Sequence, residues 1–296
     1  GNNIPVILFG DTSQDGSRYN DDPITPTTAS ARSYANAGND IIDASAISGG
    51  VTIYGGAGND TLTGSQGDDH LLGGSGNDTI LGEGGNDHIY GDSGLNISIG
   101  GRVSLLTAST DAILTVVTAN VSVNSTADSL SVGDDDIWGG SGSDIILGDH
   151  GVIGQQSSSY PNDFRLFITA NVTYVESAEE TVGGADEIFG DAGADIIVAG
   201  AGADNIAGGA DDDIIIGDNG QVSYVNGDID ITTLDLITTR NYAFGAGDTL
   251  AGNGGDDKIL GGAGSDFLYG NDNLGTPVGD NDLLIGDAAF VVLAAS

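Results

Sequence analysis

The chain contains no cysteine, which excludes disulfides, thiolate metal sites and a cysteine nucleophile. Methionine is absent too, the mark of a processed protein or a piece of a longer one. Basic residues are scarce: Lys and Arg total 6 against 44 Asp and Glu in 296 residues, a formal net charge of −38. A surface that acidic repels phosphate backbones and anionic headgroups, so nucleic acid and anionic membrane are excluded as partners. No apolar run approaches the ~20 residues that span a bilayer. No basic segment precedes a short apolar stretch, so any export signal has been removed or lies outside the chain.

What is present is equally biased. Glycine accounts for 51 residues without a collagen period, and proline for only 5. Hydrophobic residues make up 39% of the chain, more than a disordered acidic segment carries. Five of the 44 acids are Glu and the other 39 are Asp, so the short carboxylate is selected rather than charge in general. So many carboxylates in a folding chain need neutralising, and a divalent cation is the simplest agent.

A nine-residue repeat organises the sequence. From Gly55 it reads GGAGNDTLT, GSQGDDHLL, GGSGNDTIL and GEGGNDHIY, each fitting G-G-x-G-x-D-x-U-x with U apolar. The pattern returns at Gly139, runs on from Gly190 as GDAGADIIV, AGAGADNIA and GGADDDIII, and recurs from Gly252 as GNGGDDKIL and GGAGSDFLY. Position six is Asp at Asp60, Asp69, Asp78, Asp87, Asp135, Asp144, Asp186, Asp195, Asp204, Asp213, Asp248, Asp257 and Asp266. Glycine at positions one, two and four predicts a turn with positive φ whose carbonyls crowd a centre. The x-U-x that follows predicts a short strand with one inward apolar residue. Two nonapeptides then make one turn of a flattened parallel coil, and residues eighteen apart, such as Asp60 and Asp78, stack on one edge. Each edge becomes a ladder of carboxylate and carbonyl oxygens, hard ligands that suit Ca²⁺ better than Mg²⁺.

On these nonapeptides the chain resembles the calcium-binding repeats of the repeats-in-toxin (RTX) family, as does the opening segment from Asn39 to Asp60. The resemblance implies a parallel β-roll with Ca²⁺ between adjacent turns, held by the position-six aspartates and the turn carbonyls. Carried onto this chain, the carbonyls are those of Gly56, Gly58, Gly74, Gly76, Gly140, Gly142, Gly262 and Gly264. Asp40, Asp149, Asp218, Asp282 and Asp287 complete the candidate ligand set. The module occurs in toxins, proteases, lipases, adhesins and surface layers, so it is specific for calcium and not for a role.

A longer period overlies the first. Gly-Asp follows an apolar strand at Gly10-Asp11, Gly91-Asp92, Gly148-Asp149, Gly217-Asp218 and Gly286-Asp287. Three of these open segments without nonapeptides, rich in Thr, Ser and Val, where VTANVSV from Val117 and ITANVTYV from Ile168 are near-copies. Such alternation predicts strands. The expected organisation is all-β: roll blocks at 38–94, 133–151, 184–220 and 245–289, with hairpin-like excursions at 95–132, 152–183 and 221–244. Residues 1–37 form an N-terminal strand and loop region, and 290–296 an apolar C-terminal strand.

Other chemistry finds little support. His70, His88 and His150 read as solvated surface residues, without the H-E-x-x-H spacing of a zinc site. Paired acids such as Asp256-Asp257 fall in nonapeptide register, and no G-x-S-x-G is present. Trp138 reads as outward packing against an excursion. The expectation is a non-enzymatic, secreted bacterial protein, extracellular or at the cell surface, that is largely unfolded until Ca²⁺ binds. Apolar ends at Val6–Phe9 and Phe290–Leu293 fit either a longer array that has been cut or a homo-oligomer joined end to end or by strand exchange. The first role expected is a subunit of an extracellular filament or surface layer. The second is the calcium-binding, export-aiding segment of a larger secreted toxin, hydrolase or adhesin.

Overall fold

A computed structural model describes residues 6–11, 38–92, 94–99, 121–125, 132–156, 171–178, 180–224, 234–271, 280–287 and 290–292. The remainder of the N-terminal region and the middles of the excursions lie outside the described residues, as does Leu293. No helix is present among those described, and the strands assemble into three sheets.

Two sheets form the coil. One has nine strands, running in spatial order from Val6–Phe9 through Val51–Ala57, His70–Ser75, His88–Tyr90, Ile145–Leu147, Ile196–Val198, Ile214–Ile216 and Lys258–Leu260 to Leu283–Ile285. The other has eight, from Ile41–Asp43 to Phe267–Tyr269. Every pairing in both is parallel, and successive nonapeptides alternate between the two. Thr61 pairs with Thr79 and His70 with His88, the eighteen-residue register of a two-nonapeptide turn. Where residues are inserted the register resumes unchanged, as in Ile89 with Ile146 and Ile80 with Ile137.

The core between these sheets is one residue wide. It consists of the U positions, among them Leu62, Leu71, Ile80, Ile89, Ile137, Ile146, Ile188, Ile197 and Ile215, all with 0% exposure. Burying each such side chain contributes about 1.5–3 kcal/mol, less than the ordering of a nine-residue half turn costs at about 1–2 kcal/mol per residue.

The third sheet has seven strands and is built from the excursions and the C-terminal strand. Gly94–Ile99 with Val121–Ser125, Gly151–Gln156 with Asn171–Ser177, and Gly220–Ser223 with Leu236–Thr239 are antiparallel pairs. Phe290–Val292 adds to the last of them. This outer sheet packs on the nine-stranded sheet through a second core. Leu72, Tyr90, Leu147, Val198 and Ile216 meet Ile153, Val175, Val222 and Ile237 there. The nine-stranded sheet is therefore covered on both faces, while the eight-stranded sheet has nothing described on its outer face.

Three sequence expectations need correction. His70, His88 and His150 are buried rather than solvated, at 1%, 4% and 3% exposure. His70 and His88 do share a face, but the outer sheet closes over it, and His70 packs edge-on against Tyr54 and Tyr90. Burial lowers His70 to about 3 and His88 to about 4, because a charged imidazole has no water there. Trp138 lies on the eight-stranded sheet, away from the excursions, and stacks on Phe189 of the next rung at 5.5 Å. Finally, the eight candidate glycines of positions two and four have positive φ (Gly74 at 113°, Gly76 at 122°), but the position-one glycines do not. Glycine at position one leaves space, and Ala199 is an exception at that position.

Candidate metal edges

The two edges of the coil carry the position-six aspartates in continuous ladders. Along the first, each N–H donates to Oδ1 of the next: Asp40 to Asp60 at 2.7 Å, Asp60 to Asp78 at 2.7 Å, and Asp78 to Asp135 at 2.7 Å. The ladder runs on through Asp186, Asp204 and Asp248 to Asp266. The second edge joins Asp69, Asp87, Asp144, Asp195, Asp213, Asp257 and Asp282 in the same way. The residue that starts the second ladder is Val51, whose N–H donates to Asp69.

Oδ1 of each accepting carboxylate is thus committed to the backbone. Oδ2 of Asp87, Asp135, Asp144, Asp186, Asp195, Asp204, Asp213, Asp248 and Asp257 is buried without a hydrogen-bond partner. Buried carboxylate oxygens left in that state are costly. Burial pushes Asp87, Asp135 and Asp195 up to about 9 and Asp186 and Asp248 up to about 8; neighbouring carboxylates add to the rise.

Beside all of these Oδ2 atoms except that of Asp204, where position one is Ala199, a glycine at position one leaves a cradle open. A Cβ on Gly73 would lie 2.3 Å from Asp78 Oδ2 and 2.2 Å from the Gly91 carbonyl oxygen. A Cβ on Gly139 would meet Asp144 Oδ2 at 2.6 Å and the Gly190 carbonyl at 2.7 Å. The same pair of neighbours surrounds Gly82, Gly190 and Gly208. Sequence reasoning named the glycines of positions two and four, whereas the carbonyls lining these cradles belong to position one, where glycine signals space. Of the chosen set, Gly56 and Gly262 abut Asp11 and Asp218, while Gly58 and Gly142 lie against carbonyls at position four. Gly74, Gly76, Gly140 and Gly264 occupy the same left-handed turns.

The remaining candidates differ in their surroundings. Asp69 binds Ser65 with both oxygens, through the Ser65 N–H and, at 2.7 Å, its hydroxyl. Asp149 accepts backbone N–H bonds on both oxygens, from Gly184 and Ala201 at 2.8 Å each, and Asp218 accepts from Ala246 and Ala263, so the backbone engages both oxygens of each and sets these two apart from the ladder carboxylates that face the ions. Asp287 is exposed.

Among the described residues no three His, Cys, Asp or Glu side chains converge on one point. An ion in these cradles therefore draws on one carboxylate per rung together with main-chain carbonyls. That donor set, all oxygen and extensible to six or more ligands, suits Ca²⁺. An orphaned buried Oδ2 beside a carbonyl, in a space that a Cβ would fill, is the geometry such an ion requires.

A family model described as the RTX calcium-binding nonapeptide repeat, in four copies, matches residues 48–71, 63–98, 131–151, 189–221 and 242–273. The repeats of this chain are RTX calcium-binding repeats, and the all-β fold with its parallel sheets agrees with a β-roll. No curated protein matches the chain.

Proposed function

We propose that this bearer of RTX calcium-binding repeats is a secreted, non-enzymatic structural protein whose roll sets rigid when Ca²⁺ fills both edges. The observation that carries the reading is the row of buried Oδ2 atoms without a hydrogen-bond partner at Asp87, Asp135, Asp144, Asp186, Asp195, Asp213, Asp248 and Asp257, each beside a carbonyl of the next rung. Repeats of this kind are typical of secreted bacterial proteins. The position-six aspartates hold the ions, and the same ladders repel one another when the ions leave. Binding free energy is then folding free energy, shared along the coil because each ion lies between two rungs. Extracellular calcium modules have Kd of about 10⁻⁴–10⁻³ M, so the chain stays loose at cytosolic calcium and sets outside.

Self-assembly is the finer part of the proposal. Two apolar side chains sit on the terminal strands of the eight-stranded sheet, Ile41 at 83% and Phe267 at 63% exposure. Exposed apolar sheet edges favour addition of further strands. In this reading copies join edge to edge into a filament or layer. Sedimentation and negative-stain microscopy with millimolar Ca²⁺, then with a chelator, test it. Polymers that form with calcium and dissolve in chelator are expected. A folded monomer in calcium overturns assembly and favours the calcium-binding segment of a larger secreted protein.

A further inference from the structure

The position-two residue on the first edge follows a rule that ion binding does not require. Where the chain passes straight through the turn it is glycine: Gly56, Gly74, Gly200 and Gly262, with φ of 116, 113, 116 and 113°. Where residues are inserted it is aspartate: Asp11, Asp92, Asp149 and Asp218, none with positive φ. A left-handed glycine keeps the chain in the coil, and an aspartate in the ordinary region sends it outward.

The carboxylate then reaches the point where the chain returns. The Gly133 N–H donates to Asp92 Oδ1 at 3.1 Å, Gly184 to Asp149 Oδ1 at 2.8 Å and Ala246 to Asp218 Oδ1 at 3.3 Å. These donors are the position-four residues at which each excursion rejoins its nonapeptide. At Asp149 and Asp218 the second oxygen ties the splice to the following rung, accepting from Ala201 at 2.8 Å and from Ala263, whereas Asp92 Oδ2 has no hydrogen-bond partner. Across the insertion the ladder is undisturbed, since Asp78 to Asp135 is 2.7 Å and Asp60 to Asp78 is also 2.7 Å.

We propose that Asp92, Asp149 and Asp218 are splice residues: each closes the gap left by an inserted hairpin, so that the outer sheet is mounted on the roll without breaking the edge. The assignment stands on backbone hydrogen bonds and does not require an ion. Asp191 is the contrast. It occupies position two on the second edge with φ of 71°, and no residues are inserted after it. A carboxylate alone does not divert the chain.

Hydrogen exchange read by mass spectrometry on the full chain in saturating Ca²⁺ tests this, with calcium stoichiometry by calorimetry beside it. In Asp149→Ala, exchange in Gly151–Gln156 and Asn171–Ser177 is expected to rise about 10- to 100-fold. Asn205–Ala210 and Ile214–Ile216 keep wild-type protection, the number of bound ions is unchanged, and Asp191→Ala alters neither region. Asp149→Asn, which retains one acceptor oxygen, is the milder variant should the alanine protein not fold, and the same localised opening is expected. An unchanged hairpin, a uniform loss of protection in the asparagine variant, or the loss of an ion would each overturn the assignment.

Discussion

The two sheets of the coil are written in the same nonapeptide, yet among the described residues one carries a second layer and the other does not. In the nine-stranded sheet the strands Ile145–Leu147, Ile196–Val198 and Ile214–Ile216 read IIL, IIV and III, and all their residues are buried. In the eight-stranded sheet Thr61–Thr63 and Thr79–Leu81 read TLT and TIL, with only the middle residue buried. The middle residue is common to both because both face the inner core. The flanking positions record what lies outside: a hairpin layer over one sheet, and nothing described over the other. A solenoid repeat of this kind therefore carries separable instructions, one for the coil and its ions and one for what docks on it.

Substitutions can break that comparison in order of expected effect. The largest belongs to the part both sheets share. Gly73→Ala places a Cβ 2.2 Å from the Gly91 carbonyl, filling the cradle, and should cost about 3 kcal/mol and raise the calcium midpoint. Gly254→Ala is the control, since its nearest atom lies at 3.8 Å, and calcium-dependent denaturation should barely change. Next comes the contrast itself. Ile216→Thr on the covered sheet should cost about 1–3 kcal/mol, while Thr79→Ile on the other should stay within about 0.5 kcal/mol in chemical denaturation. Equal effects would mean that the outer layer contributes no stability. The smallest is Trp138→Ala, which removes the stack on Phe189 and should cost about 1 kcal/mol.

Much of this was legible in the sequence because the repeat is dictated locally. Asp at position six and one apolar residue two places on are required in every rung, so the eighteen-residue register could be read directly from Asp60 and Asp78. The two-layer character was also written there, in III against TLT, but a single inward residue per strand was read into both. The burial of His70 was not legible, because it depends on a hairpin docking from a distant part of the chain. Asp92 escaped the candidate set although its Gly-Asp pair was recognised; the signal was aspartate at a position that elsewhere holds left-handed glycine. The pairing partners of the outer strands could not be read at all, since the ladder spacing across insertions is 57, 51 and 44 residues rather than 18.

The most direct test of calcium control is far-UV circular dichroism of the chain in millimolar Ca²⁺ and in excess chelator, followed as a function of pH. Ladder carboxylates lie at about 7 for Asp144, 8 for Asp186 and 9 for Asp87 in the ion-free fold, against an ordinary value of 3.8. The ion-free fold thus holds protons that the unfolded chain has released. Its stability is fully present below about pH 4 and is lost as pH rises through 7 to 9. The expected result is a β spectrum at pH 7.5 with calcium, its loss in chelator, and its return in chelator as the pH falls toward 4. A β spectrum that persists in chelator at pH 7.5 would contradict the assignment of these edges to calcium.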